Sequence, residues 1–252
     1  MPPPMLEWWD TRAILGRGVV TSHGDLSVLQ FAIAGSDAPL AVDPRRLLVA
    51  GYTGRDQAAV ARHIAELREH GIPAPERTPA LYALAPDRVS IEREVAVVGD
   101  QTSGEAEFVL VYSGGELYVG VGSDHTDRGL ERLSVSRSKQ VCPKPLSSAL
   151  WRWAEARDGW DNCQLRSWIG DGAGAPYQQG SVNELMTPEA ILAMVRERVG
   201  DDLEGSVIYC GTLPLIGGEF RFDRHFEGAL VDPVRGRELR CAYTSTVVAD
   251  ID

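Results

Sequence analysis

Apolar residues along the chain fall into short, mostly strand-like runs. VVTSH and LSVLQFAIAG lie within residues 19–35, and RLLVAGY covers 46–52. After Gly54 the period changes: Val60, Ile64 and Leu67 recur at helical spacing, and Gly71 stands where a helix C-terminus favours glycine. IPAPERTPALYAL then reads as a proline-punctuated connection running into an extended segment. Beyond residue 91 the runs EVAVVGD, EAEFVLVYSGGELYVGVG, QLRSWIG, SVIYCGTLPL and ELRCAYTSTVV all carry strand signals. Gly114-Gly115 lies between FVLVYS and ELYVGVG, where a primed turn closes a two-residue hairpin. A second helix is predicted over 187–200, with Thr187 as N-cap and Pro188 at the first helical position. The first ten residues, including Trp8 and Trp9, read as loosely attached. Two helices among many strands predict an α+β, β-dominated chain. Strand–helix alternation is too sparse for a doubly wound sheet.

Composition narrows the class of partner. The 252 residues hold 25 Lys+Arg against 36 Asp+Glu, a formal net charge of -11. Such a surface repels phosphate backbones and anionic lipid, so neither nucleic acid nor a membrane is expected as partner. No run approaches the ~18 apolar residues of a membrane span, and the N-terminus lacks a basic stretch followed by an apolar one. Cys142, Cys163, Cys210 and Cys241 form no CxxC pair, which favours buried thiols in a reducing compartment. A cytoplasmic location is the expectation. Gly at 26 and Pro at 15 fit many turns.

The chemistry concentrates in GEAEFVLV and VGVGSDHTDRGLERLSVSRSKQVCPKP. Glu105 and Glu107 lie two apart on a predicted strand, so both carboxylates leave the same face. The hairpin returns to Asp124, which pairing would set beside them. Three carboxylates that close stay ionised only with a cation among them, and oxygen-only ligands suit Mg2+, Mn2+ or Ca2+ rather than zinc. A solvated strand face lined with acids gives the same spacing, and at this level both readings stand.

Several segments together resemble the fumarylacetoacetate hydrolase superfamily, in particular a bacterial branch of unassigned function. Its Glu-x-Glu strand is matched by Glu105-Ala-Glu107, and its Asp-x-Thr-x-Arg by Asp124-His125-Thr126-Asp127-Arg128. Its lysine shortly before Cys-Pro is matched by Lys139 ahead of Cys142-Pro143, and its Gly-Thr-Pro turn loosely by Gly211-Thr212-Leu213-Pro214. The likeness spans roughly residues 46–248, and the order of the segments carries it. The resemblance implies a mixed β-roll or sandwich, with residues 1–45 as N-terminal strands and extension and 46–252 as the catalytic domain. It implies Glu105, Glu107 and Asp124 as metal ligands, Lys139 facing the substrate, and Arg128 and Thr212 contacting it. Taken alone, Lys139 reads as a solvated loop lysine, and Arg128 equally as an ion-pair partner of Asp127 or Glu131.

Family hydrolases also carry a His-x-x-Glu pair that activates and orients water. His63-Ile64-Ala65-Glu66 on the first predicted helix matches it, i and i+3 sharing a face. Read alone, the pair is a surface His beside a solvated Glu. Two departures put the substrate in question: the family's helical insertion between its acidic strands is replaced by the Gly-Gly hairpin, and a lysine usual near PALYALAPDR is missing. His125 and Asp127 stand as candidate outer groups of the metal site or as side chains turned away. Trp151, Trp153 and Trp160 read as core or dimer packing. The resemblance implies a homodimer that binds Mg2+ (or Mn2+/Ca2+) and an oxo-acid or diketo small molecule, and cleaves a C–C bond by hydrolysis. The alternatives are a decarboxylase, hydratase or tautomerase on the same scaffold, or a catalytically silent ligand-binding member.

Overall fold

Strict alternation becomes strand almost wherever it occurs. The computed structural model describes residues 28–69, 74–170 and 174–249. VVTSH, Trp8, Trp9 and Gly71 lie outside the described residues. The first strands are β1 (Leu29–Ile33), β2 (Leu40–Val42), β3 (Arg46–Gly51) and β4 (Ala80–Leu84). Next come β5 (Val89–Ser90), β6 (Glu94–Val98), β7 (Thr102–Ser103), β8 (Ala106–Ser113) and β9 (Glu116–Ser123). β10 (Thr126–Asp127), β11 (Lys144–Pro145), β12 (Ala149–Arg152), β13 (Gln164–Ile169) and β14 (Gln178–Ser181) follow. β15 (Ser206–Thr212), β16 (His225–Asp232) and β17 (Arg237–Val248) complete the set. The helices are α1 (Gln57–Glu69), α2 (Arg128–Glu131), α3 (Val135–Gln140), α4 (Trp153–Ala156) and α5 (Pro188–Val199).

Eight strands form a curled sheet in the order β2-β1-β12-β9-β8-β15-β3-β4, and five form a second in the order β14-β13-β16-β17-β6. Alternation along the larger sheet buries both of its faces. Leu48, Phe108, Leu110, Val121 and Ile208 meet the smaller sheet and α5, packing with Leu165, Leu230, Tyr243, Ile191 and Val195. Leu47, Val49, Val109, Val111, Val207 and Tyr209 form a second core with Phe31, Val42 and Leu150, inside the curl. The arrangement is α+β with strands dominant, a mixed β-roll as expected. β1 and β2 extend the same eight-stranded sheet.

The hairpin at the centre has the predicted turn. Ser113 pairs with Glu116, and Gly114 and Gly115 take φ of 62° and 75°, the left-handed conformation a primed turn needs. α5 begins as read, the Thr187 hydroxyl accepting from the N–H of Ala190. α1 begins at Gln57 rather than Gly54, because an Asp56 carboxylate oxygen accepts from the N–H groups of Ala58 and Ala59. Several elements escaped the pattern: β16, whose alternation Glu227-Gly228 interrupts, the short strands β2, β5, β7, β10, β11, β12 and β14, and the six-residue helix α3. The one-turn helices α2 and α4 are too short to show a period. Trp151, Trp153 and Trp160 are buried, Trp160 meeting Trp153 edge-on at 5.2 Å between ring centroids. All four cysteines are free, buried thiols. No helix among the described residues is long and apolar enough to cross a membrane.

Candidate metal and substrate site

The register of the β8–β9 hairpin decides where the acids meet. Ala106 pairs with Ser123 and Glu107 with Gly122, and the N–H of Asp124 donates to the carbonyl of Glu105 at 3.0 Å. Glu105 and Asp124 therefore stand opposite each other, with Glu107 one step inward on the same face. That face is the inner side of the curl. Gly122 keeps it open beside Glu107: a Cβ there would lie 2.7 Å from the Tyr209 ring and from the carbonyl of Pro145.

Each carboxylate has its own environment. Asp124, 1% exposed, lies 2.5 Å from Lys139 Nζ through Oδ2 and 3.3 Å from Lys144 Nζ through Oδ1. Burial opposes its ionisation, but the two ammonium groups outweigh burial and hold its pKa down at about 2. Glu105 pairs with Arg128 Nη2 at 3.1 Å. Glu107, 2% exposed, accepts the N–H of Gly211 at 2.8 Å. Burial pushes the Glu107 carboxyl well above the usual range and the charge of Asp124 adds to that, with Lys139 and the Gly211 N–H opposing and Glu105 adding again. Among the described residues, no three acid, His or Cys side chains are gathered closely enough to hold an ion as they stand. The acids share one face, with Asp124 and Glu105 turned onto the protein's own cations.

Lys139 lies on α3, not on a loop, and it is buried. Its ammonium makes one hydrogen bond among the described residues, to Asp124. Burial works against its charge, yet Asp124, Glu105 and Glu131 raise its pKa above the usual lysine value. Arg128 opens α2, where the carboxylate of Asp127 caps the helix by accepting from the N–H of Leu130. Arg128 Nε donates to Ser103 Oγ at 2.7 Å and Nη1 to Glu131 at 3.0 Å, and the guanidinium stacks 4.1 Å from the Phe220 ring centre. The i,i+3 pair with Glu131 is thus formed, and Glu105 joins it. The hydroxyl of Thr212 donates to the carbonyl of Ala106 and accepts from Gln178 Nε2, across from Glu107 on β15. His125 leaves the strand on the opposite face, its Nδ1 2.6 Å from the Tyr243 hydroxyl. Burial first, then the charges of Lys144 and Arg128, lower its pKa to about 3. His63 and Glu66 occupy α1 three positions apart, but their side chains lie outside the described residues.

Four neighbours have no role in the sequence reading. Lys144 is fully buried beside Asp124. Gln178 joins three strands, its Oε1 accepting from the N–H of Ala106 and the hydroxyl of Ser167 while Nε2 donates to Thr212 and to the carbonyl of Leu213. Tyr82 on β4 lies within electrostatic reach of Lys139, Glu131 and Asp124, and burial raises its phenol to about 12. Tyr52, just past β3, holds φ of 58°, a left-handed conformation costly for an aromatic residue; burial raises its phenol, and Glu131 and Lys139 act on it. Only the lysine carries a sequence signal, its place two residues after Cys142. A separate cleft of about 350 Å³ between the starts of α1 and α5 is lined by Arg55, Gln57, Pro79, Met186, Thr187 and Ala190 and brings no acids together.

Comparison with known proteins agrees with the fold. The fumarylpyruvate hydrolase of Pseudomonas aeruginosa, solved with Mn2+ and pyruvate, superposes with a TM-score of 0.58 at 17% identity, over 88% of this chain and 97% of that one. A 2-keto-3-deoxy-D-arabinonate dehydratase in its apo form gives 0.59 at 17% identity, over 85% and 78%. A yeast fumarylacetoacetate hydrolase family protein gives 0.55 at 14% identity, over 81% and 94%. At such identities the likeness is one of fold. No curated protein sequence matches the chain. The profile of a family described as protein of unknown function (DUF2848) matches residues 50–243, well over half of the chain. The chain therefore belongs to the DUF2848 family and has the fold of the fumarylacetoacetate hydrolase superfamily.

Proposed function

We propose that this protein is a divalent-metal-dependent enzyme acting on a small oxo acid or diketo acid, with Glu105, Glu107 and Asp124 as the metal ligands. The observation that carries this reading is the hairpin register, which sets three carboxylates on one face at one strand end. The donor set suits a hard cation: it is all oxygen, and Glu107 is buried against two other acids with no cation of its own. Mg2+, Mn2+ and Ca2+ meet that description. Once bound, such an ion supplies Lewis-acid polarisation to paired substrate oxygens. Lys139 has N–H donors available for an oxygen on which enolate charge develops. Arg128, engaged by Ser103, Glu105 and Glu131, orients Glu105 and borders the substrate. Thr212 shapes the floor beside Glu107.

In the finer reading the reaction is hydrolysis of a C–C bond in an acylpyruvate-like substrate, with His63 activating water and Glu66 orienting it. The alternative is a lyase or isomerase on the same carboxylates, which needs no water-activating imidazole; His125, next to Asp124 in sequence, turns to Tyr243 and serves neither reading as a base. The purified chain, assayed on acylpyruvates and oxaloacetate before and after EDTA, separates these readings. Metal dependence restored by Mn2+ is expected, and activity that survives chelation refutes the metal reading. His63→Ala should lower hydrolysis at least about 100-fold; unchanged hydrolysis assigns the water to another residue. Mn2+ binding without turnover of any oxo acid would mark a ligand-binding protein. We further propose a homodimer, which sedimentation of the purified protein tests.

A further inference from the structure

Lys144 is the most deeply buried charge near the carboxylates, at 0% exposure, and the proposed chemistry does not use it. An ammonium has three N–H donors and no acceptor. Lys144 Nζ lies 2.5 Å from the carbonyl of His125, 2.6 Å from the carbonyl of Lys139 and 3.3 Å from Asp124 Oδ1. All three donors have a protein partner. The stem is fixed as firmly as the head: Lys144 pairs with Val89 between β11 and β5, and the Tyr209 hydroxyl donates to the carbonyls of Lys144 and Pro145 at 2.8 and 2.9 Å. A saturated ammonium on a pinned backbone cannot reach a ligand without breaking bonds that bury it. Lys139, 7% exposed with one hydrogen bond, is the opposite case.

We propose that Lys144 is a positioning residue that ties the end of β9 to the last turn of α3, and so sets Asp124 and Lys139 against each other at the open end of the carboxylate face. The carbonyl of Lys139 is among those a helix C-terminus leaves without an intrahelical partner. Lys144 fills that vacancy and grips the turn after Asp124 with the same ammonium. α3 has six residues, too few to be stable by itself. Its placement, and with it that of Lys139 Nζ, depends on such anchors, which include the Ser134 hydroxyl accepting from the Arg137 N–H at its start. Lys144 thus acts through Asp124 and Lys139, not on the substrate.

The test compares the full-length wild type with Lys144→Met by titration with Mn2+ alone, read by the EPR signal of the free ion, and by amide hydrogen exchange; its Mn2+ arm rests on the metal reading above. Partners that orient a metal ligand typically contribute 10–100-fold to affinity. Lys144→Met should bind Mn2+ at least about tenfold more weakly, and exchange should rise in residues 124–128 and 135–141 but not in β16 or β17. A cation that contributed only charge has the opposite signature, because its removal tightens Mn2+ binding. Affinity equal to or above wild type therefore overturns the proposal. If wild type binds no Mn2+, the metal reading fails, and the exchange comparison alone judges the clamp, with unchanged exchange overturning it. Should Lys144→Met not fold, wild type decides: the clamp requires α3 to exchange as slowly as β9, and exchange at the rate of exposed loops overturns it.

Discussion

Gly211→Ala probes the joint on which Glu107 depends. Gly211 interrupts the register of β15 with β8, and its φ of 96° aims its N–H at Glu107. An L-residue in that conformation costs about 1–3 kcal/mol. Sterics are worse, since the added Cβ would sit 1.9 Å from Thr53 Oγ1. Thr53 is 2% exposed and its hydroxyl donates to the carbonyl of Cys210 at 2.8 Å, so turning it away costs a buried hydrogen bond, about 1 kcal/mol. Moving Gly211 instead pulls its N–H off a buried carboxylate, worth about 1.5–3 kcal/mol.

The first route brings the loss to about 2–4 kcal/mol and the second to about 2.5–6 kcal/mol; a loss of about 3–4 kcal/mol lowers the melting temperature by about 10 °C in a chain of this size. Urea denaturation and calorimetry on purified wild type and variant measure it. The Thr53→Ala background supplies the control, because it removes the nearest clashing atom. There Gly211→Ala should cost about 1–2 kcal/mol less, a non-additivity expected only for residues in contact. A variant within about 1 kcal/mol of wild type, or a strictly additive pair, would refute this account of the joint.

Asp232 accepts from the N–H groups of Val234 and Arg235 and from the guanidinium groups of Arg235 and Arg237. Burial works against its ionisation, but the Arg235 N–H and both guanidinium groups hold its pKa below the usual carboxylate value. A depressed folded pKa stabilises above the unfolded value of about 3.9 and loses that contribution as pH falls through the folded pKa. Asp232→Asn should therefore be about 2 kcal/mol less stable at pH 7 and approach wild type as the pH falls below the usual carboxylate range, read by urea melts across pH. Gly115→Ala meets nothing within 4 Å, so its cost of about 1 kcal/mol is purely conformational and Gly115→Asn should recover part of it. Thr187→Ala removes the α5 cap and should cost about 1 kcal/mol in thermal unfolding; no change would show that Pro188 alone starts the helix.

The sequence made legible what depends on neighbours along the chain. The i,i+2 spacing of Glu105 and Glu107, the Gly-Gly turn and the length of both strands were enough to set Asp124 opposite Glu105. The i,i+3 relation of Arg128 and Glu131 announced their pair. The outward turn of His125 stayed one of two open readings, although consecutive residues leaving a strand face opposite sides. Gln178 meets Ala106 across 72 residues of chain, and Lys144 meets Tyr209 across 65. Such contacts follow from which strands become neighbours, and strand order leaves no periodic trace. Tyr52 is a stronger case, for nothing in AGYTG marks one residue as left-handed.

Where the cations sit says which carboxylate lacks one. Asp124 has two ammonium groups and Glu105 a guanidinium shared with Glu131. Among the described residues Glu107 has a backbone N–H and no cation in contact, and its pKa is driven upward first by burial and then by Asp124, with Lys139 opposing from a distance. A buried carboxylate without a counter-charge is costly unless it takes a proton or a cation arrives. Asp124, held at about 2, stays ionised beside it, so the deficit falls on the middle acid. On the proposed reading Glu107 would be the anchor of an ion, and Glu105 and Asp124 would join it only by giving up part of their pairing with Arg128 and Lys139. Lys139 Nζ has no other hydrogen-bond partner among the described residues. An ion drawing Asp124 away would leave the Lys139 N–H groups for a substrate oxygen.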